Sequence, residues 1–206
     1  MTNWEKTKTL LNSLELNYAT LSKEHYKWFK QACKKAKIKN IKKNNTLAGH
    51  IKEEYALERP PNNIIKMLIG MIDTRFSMYL KKLAMLTKDL PFDIDQIWCN
   101  FQKKHEFNPP HDHSGVFSFV VFIKIPYALD EETKYFNTGD GDNYTSKFTF
   151  HMINKFGGLH LQPLEVDKSF EGKIIFFPAN TWHEVFPFYT SNDYRITVSG
   201  NIKLRV

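Results

Sequence analysis

The run Val116-Phe117-Ser118-Phe119-Val120-Val121-Phe122-Ile123 constrains the fold more than any other part of the chain. It is apolar except at Ser118 and breaks at Pro126, so it reads as a buried strand. The rest of the C-terminal half repeats that texture. Ile94–Phe101, Ile174–Phe177 and a last stretch from about Tyr194 to Leu204 read as strands, and Lys147–Met152 and Leu159–Leu161 alternate. Turn-forming segments separate them: the polar loop 137–143, Gly157-Gly158, and Gly172 just ahead of Ile174.

The front half has a different period. Leu10, Leu11, Leu14 and Tyr18 follow helical spacing, as do Tyr26, Phe29 and Cys33, with Ser22 placed to cap the second helix. Pro60-Pro61-Asn62-Asn63 is a break. Asn63 is expected to cap a helix running through Ile64, Ile65, Leu68, Ile69, Ile72, Phe76, Tyr79, Leu80, Leu83 and Leu86. Helices first and strands afterwards predict an α+β chain: a closed or double-sheet β core with the N-terminal helices packed on one face. The expected division is a helical, lysine-rich part over 1–90 and a catalytic domain over 91–206.

Charge divides along the same line. Up to residue 90 there are 18 Lys and Arg against 8 Asp and Glu; beyond it, 11 against 14. The densest cluster is Lys34, Lys35, Lys37, Lys39, Lys42 and Lys43. A solvated helical surface accounts for it, and weak, non-specific nucleic-acid contact is the most expected of it. No apolar run reaches the ~18 residues of a membrane span, so no membrane partner is expected. Cys33 and Cys99 alone make no disulfide framework, which favours a reducing cytoplasm, that of the host if the chain is viral.

Chemistry concentrates ahead of the buried strand, in Asn108-Pro109-Pro110-His111-Asp112-His113-Ser114-Gly115. On an extended chain, residues two apart share a face, so His111 and His113 can converge while Asp112 points away. His183, in Phe177-Pro178-Ala179-Asn180-Thr181-Trp182-His183, supplies a distant third imidazole. Neutral imidazole suits several metals, and three such ligands leave positions open for a co-substrate and oxygen. Alternation favours His113 over Asp112 as the second ligand; a bent loop would reverse that choice. His151 and His160 are secondary candidates.

The last strand adds an anion site. Arg195, Thr197, Ser199 and Asn201 share one face, and Tyr194, Ile196, Val198 and Ile202 the other. In a barrel with a ligand-filled lumen the polar face looks inward and helices cover the apolar one. Arg195 would then offer a planar fork to a carboxylate, with the Thr197 hydroxyl beside it.

In this order, His-x-(Asp or His), apolar strand, Gly-x-Ile-Ile-Phe-Phe-Pro, Trp-His and Arg-x-(Ser or Thr) resemble the iron(II)- and 2-oxoglutarate-dependent dioxygenases over roughly residues 94–206. The nearest likeness is to the small bacterial and bacteriophage branch related to the prolyl hydroxylases. The resemblance implies a double-stranded β-helix, or jelly roll, with Fe(II) as metal and 2-oxoglutarate and molecular oxygen as co-substrates. It implies hydroxylation of an unidentified substrate with release of succinate and CO2. His111 becomes the first metal ligand, His183 the distal one, Arg195 the partner of the far carboxylate, and Thr197 the hydroxyl of the Arg-x-Ser pattern. His113 departs from the pattern, where Asp or Glu is usual. Trp98, Phe117 and Phe119 are expected as dry walls, and Asn100 and Tyr135 as polar contacts. Two other readings fit the same residues: a three-His cupin-like metal protein that does not use 2-oxoglutarate, and a non-catalytic binding protein.

Overall fold

The computed structural model describes residues 1–72, 92–136 and 143–205. Phe76, Tyr79, Leu80, Leu83 and Leu86 of the expected long helix, and most of the 137–143 loop, lie outside the described residues.

Helix α1 (Asn3–Ser13) starts at Thr2, whose side chain accepts from the Glu5 amide, and buries Trp4, Thr7 and Leu11. It stops before Tyr18. Glu15 takes a positive φ of 56°, and Asn17–Thr20 becomes β1. The helical spacing of Tyr18 therefore misleads: β1 pairs with β8 (Lys173–Pro178), and that edge pairing overrides local periodicity. Helix α2 (Lys23–Lys39) is capped by Ser22 as expected, buries Phe29, Cys33 and Ala36, and ends at left-handed Asn40. Short β2 (Glu54–Ala56) follows, then α3 (Asn62–Gly70). Asn63 does not cap α3. Pro61 holds the cap position without a side-chain bond, its carbonyl accepting from the amides of Ile64 and Ile65.

The strands are β3 (Phe92–Gln102), β4 (Asn108–His111), β5 (Phe117–Lys124), β6 (Phe148–Ile153), β7 (Leu159–Leu164), β8, β9 (His183–Val185) and β10 (Arg195–Leu204). Helix α4 (Leu129–Tyr135) lies between β5 and β6. All strand pairings among the described residues are antiparallel. The larger sheet runs β1-β8-β5-β10-β3-β2, and the smaller β4-β9-β6-β7. Two strands from the front half, β1 and β2, therefore complete the edges of the larger sheet.

The described residues form two apolar clusters. In one, Phe29, Cys33 and Ala36 of α2 and Ile64, Ile65 and Leu68 of α3 meet Val121, Ile123, Phe176, Val198 and Ile202 of the larger sheet. In the other, Val120, Phe122, Ile175 and Phe177 of the larger sheet meet Phe148, Phe150 and Leu164 of the smaller one. Trp4 and Leu11 of α1 join this second cluster, so α1 serves the inter-sheet layer while α2 and α3 serve the other side. Strand β5 is buried from Phe117 to Ile123 because it contributes to both layers.

Two glycines permit close strand contacts. A Cβ on Gly200 would fall 2.6 Å from the Phe119 ring and 2.8 Å from the Gln96 carbonyl oxygen. Gly115, which turns the histidine loop into β5, has φ +98° and would place a Cβ 2.7 Å from the Ile202 carbonyl oxygen. Gly115→Ala is expected to cost on the order of 1–3 kcal/mol of stability. Gly70→Ala, with nothing within 4 Å of the new methyl, should be neutral or stabilising. Urea unfolding of both variants is the check.

Candidate active site

The smaller sheet brings the two distant histidines together. His111 and His183 are direct cross-strand partners on β4 and β9, and His183 also pairs with Phe150 of β6. His113 lies just past β4, its amide tied to the Ala179 carbonyl at 2.9 Å. One nitrogen from each of the three imidazoles lies within 4.8 Å of the others. Among the described residues this is the one group arranged to hold a metal ion. Asp112 is exposed and stands outside it.

The rings are fixed by their second nitrogens. His111 Nδ1 lies 2.7 Å from the Pro109 carbonyl, and His183 Nδ1 2.9 Å from that of Thr181. Each carbonyl can only accept, so Nδ1 carries the proton and Nε2 keeps its lone pair for a metal. His183 also stacks on Phe148 at 5.4 Å, and Trp98 meets His113 edge-on at 5.6 Å. Burial, and then the neighbouring His111 and His113, holds His183 well below the ordinary value of 6.5. Burial also lowers His111, and burial with His111 beside it takes His113 to about 4. The site therefore presents neutral imidazoles, the form that binds metal.

Trp98, Asn100, Gln102, Phe122, Phe177 and Arg195 line the same pocket as the triad, with Thr197 and Ser199 of β10. Arg195, Thr197 and Ser199 of the polar β10 face line the pocket, whereas Asn201, its fourth member, accepts from the Ser118 hydroxyl. Arg195 itself differs from expectation. Its Nε donates to Gln102 Oε1 at 2.8 Å, its Nη1 to the Tyr127 hydroxyl and the Ser146 carbonyl, and its Nη2 to the Phe186 carbonyl. Four of the five N–H donors a guanidinium carries are thus engaged by the protein. A single N–H remains, not a free fork. Asn100 donates to Thr197 Oγ1 at 3.1 Å, while its own buried Oδ1 has no partner among the described residues.

Several expected residues stand elsewhere. Phe117 belongs to the helix-side cluster, and Phe148 and Phe177 are walls in its place. Tyr135 is 51% exposed and stacks on Tyr189 instead of facing the pocket. His151 bonds Glu184 at 2.9 Å, and His160 is exposed. Within the lysine cluster, Lys37 and Lys39 pair with Glu53 and Glu58, and Lys42 lies over the Tyr55 ring. Gln102 was missed although it shares a β3 face with Trp98 and Asn100, the signal that would have found it. Tyr127 follows Pro126 in an irregular segment and carries no such signal.

The family model described as "Putative 2OG-Fe(II) oxygenase" matches residues 96–201. The chain belongs to the 2OG-Fe(II) oxygenase family, and its cofactors are Fe(II) and, as co-substrate, 2-oxoglutarate. A solved prolyl-4-hydroxylase from Pseudomonas putida covers 93% of this chain, with 94% of its own length matched, at 12% identity and a TM-score of 0.53. The viral collagen prolyl hydroxylase of Paramecium bursaria Chlorella virus-1, solved with 2-oxoglutarate, covers 93% and 96% at 12% identity, with a TM-score of 0.49. No curated protein sequence matches. Family membership implies a substrate and molecular oxygen as partners and gives no support to nucleic-acid contact. No helix among the described residues is long and apolar enough to cross a membrane.

The depressed histidines predict how the metal-free protein responds to acid. Unfolded histidines titrate near 6.5 and folded ones lower, so between those values the unfolded chain binds more protons. Stability is expected to be full above about pH 6.5 and to fall as pH drops toward 4. In His113→Gln that decline should be shallower. Urea midpoints across pH 4–8 measure both.

Proposed function

We propose that the chain is an active Fe(II)- and 2-oxoglutarate-dependent hydroxylase, with His111, His113 and His183 as metal ligands and Arg195, Thr197 and Asn100 facing the co-substrate. The observation that carries this reading is the convergence of three imidazole nitrogens, two of the rings turned by carbonyl partners. The strand order β8-β5-β10-β3 opposite β4-β9-β6-β7 supports a jelly-roll core. Residues 91–206 form the catalytic part in this reading, with 1–90 supplying edge strands and the helical cover.

These residues fit the metal: neutral nitrogen donors suit Fe(II), and three ligands leave open positions. Bound there, Fe(II) couples oxidative decarboxylation of 2-oxoglutarate, giving succinate and CO2, to hydroxylation of a substrate C–H bond. The chain's own groups do the positioning. The remaining Arg195 N–H and the Thr197 hydroxyl hold the far carboxylate at the inner end of the pocket. Gln102, Tyr127 and the Ser146 and Phe186 carbonyls keep the guanidinium from turning away. Phe122, Phe148 and Phe177 keep water from the co-substrate's chain.

The test is succinate formation from 2-oxoglutarate by the Fe(II)-reconstituted protein in air, alongside metal content. Wild type should bind one metal per chain and form succinate; His111→Ala with His183→Ala should do neither. Undiminished metal in that double variant would end the ligand assignment. His113→Asp, which restores a carboxylate, should retain metal, and Asp112→Ala should lose no more than ~10–100-fold in affinity. Arg195→Gln should weaken 2-oxoglutarate binding roughly tenfold, in line with loss of a charge-assisted hydrogen bond. Titration calorimetry with Mn(II) and 2-oxoglutarate reads these affinities.

A further inference from the structure

A second opening reaches the triad from the side of β2. It is lined by Thr46–Gly49, Glu54, Trp98, Asn108, His111, Asp112 and His113, and shares Trp98, Asn108, His111 and His113 with the pocket described above. Among its polar groups are oxygen acceptors that lack donors.

Glu54 is only 1% exposed. Its register partner on β3 is Asn100, which brings it to the edge of the site. One carboxylate oxygen, Oε2, accepts from Asn44 Nδ2 at 3.2 Å. The other, Oε1, has no donor among the described residues. Asn108 Oδ1 is buried and also has no partner, and the same is true of Asn100 Oδ1. Glu54 Oε1 and Asn108 Oδ1 converge over one glycine: a Cβ on Gly49 would stand 2.9 Å from the first and 2.4 Å from the second. Asp112 adds a further carboxylate at the mouth. No Lys or Arg of the described chain pairs with Glu54. Burial, and then Glu106, raises it to about 7.

Buried amide oxygens without donors, beside a carboxylate taken largely out of water, cost free energy in the free protein. A group carrying positive charge and several N–H bonds would satisfy them together. An anionic group would face the Glu54 and Asp112 carboxylates, and a neutral donor would leave the Glu54 charge unmatched.

We propose that this opening is the primary-substrate subsite and that it takes a cationic nitrogen group, a protonated amine or a guanidinium, held by Glu54 and Asn108 beside the triad. The proposal rests on the hydroxylase reading for the word substrate, but the binding itself requires neither metal nor 2-oxoglutarate. Glu54 selects the charge, and Asn108 accepts a further N–H bond. Gly49, lacking a side chain, lets the Asn108 and Glu54 oxygens close over the backbone side by side.

The test uses the whole, metal-free protein and three probes: methylguanidinium, butylammonium and neutral butanol. Two-dimensional 15N NMR follows the amides of Gly49, Glu54 and Asn108. Saturable shifts with at least one cation and none with butanol are expected, and the stronger of the two cations assigns guanidinium or amine. Glu54→Gln should bind the cation at least about tenfold more weakly, as for loss of an ionic hydrogen bond. Gly49→Ala, whose methyl would displace the Asn108 and Glu54 oxygens, should abolish the shifts. Both variants should retain Mn(II). No saturable cation shift in wild type, or equal affinity in Glu54→Gln, overturns the subsite. Cation binding kept in a wild-type protein that takes up no Mn(II) would overturn the metal reading and leave the subsite standing.

Discussion

Strand β10 carries two faces that could not exchange. It lies between β5 and β3 in the larger sheet, paired along nearly its whole length on both sides. Val198 and Ile202 enter the helix-side cluster, with Tyr194 and Ile196 packed against it, while Arg195, Thr197 and Ser199 line the pocket. A one-residue slip would put a guanidinium into the α2–α3 layer and Val198 into the lumen. The cost of burying an unpaired charge fixes the register. The same register places Thr197 opposite Asn100 and Arg195 opposite Gln102, so the polar lining assembles as a consequence of pairing.

The histidines depend on a smaller version of the same constraint. His111 and His183 are cross-strand partners on short β4 and β9, which set their spacing through backbone geometry. His113 lies past the end of β4 and is held by the Ala179 carbonyl and by Gly115, whose φ of +98° turns the chain back toward β5. The ligand nitrogens are then freed by main-chain carbonyls two residues upstream, at Pro109 and Thr181. In both cases the ring is oriented by the chain just ahead of it.

Much of this was legible in the sequence, because alternation has physical content. The long strands were readable from their apolar runs, the inward polar face of β10 from its period of two, and the α2 cap from Ser22. The failures have physical causes. Tyr18 continued a helical pattern but lies on an edge strand, since pairing with β8 outweighs local spacing. Strands β4 and β9 are short, and β4 holds two prolines, so neither looked like a strand. The engagement of Arg195 by Gln102, Tyr127 and two backbone carbonyls is a tertiary fact with no local signature. Glu54 is the clearest example. In the sequence it is one acid beside another in Lys52-Glu53-Glu54-Tyr55, and only pairing with β3 reveals that Glu53 meets Lys37 while Glu54 is buried.

Charge links these parts. Three neutral imidazoles bring no negative charge to a divalent ion, whereas two histidines and a carboxylate would bring one. In the proposed complex the two carboxylates of 2-oxoglutarate offset the metal, and Arg195 leaves the assembly one positive charge in excess. The low dielectric of a buried pocket makes such an excess costly. A buried carboxyl of the adjoining opening is Glu54, which lacks a cation of its own among the described residues. Loading the site with a divalent ion would therefore draw Glu54 toward its ionised form, and an ionised Glu54 is what a cationic substrate group requires. Loss of the ligand carboxylate at position 113 and the presence of a buried acid at position 54 are, in this view, two sides of one electrostatic balance.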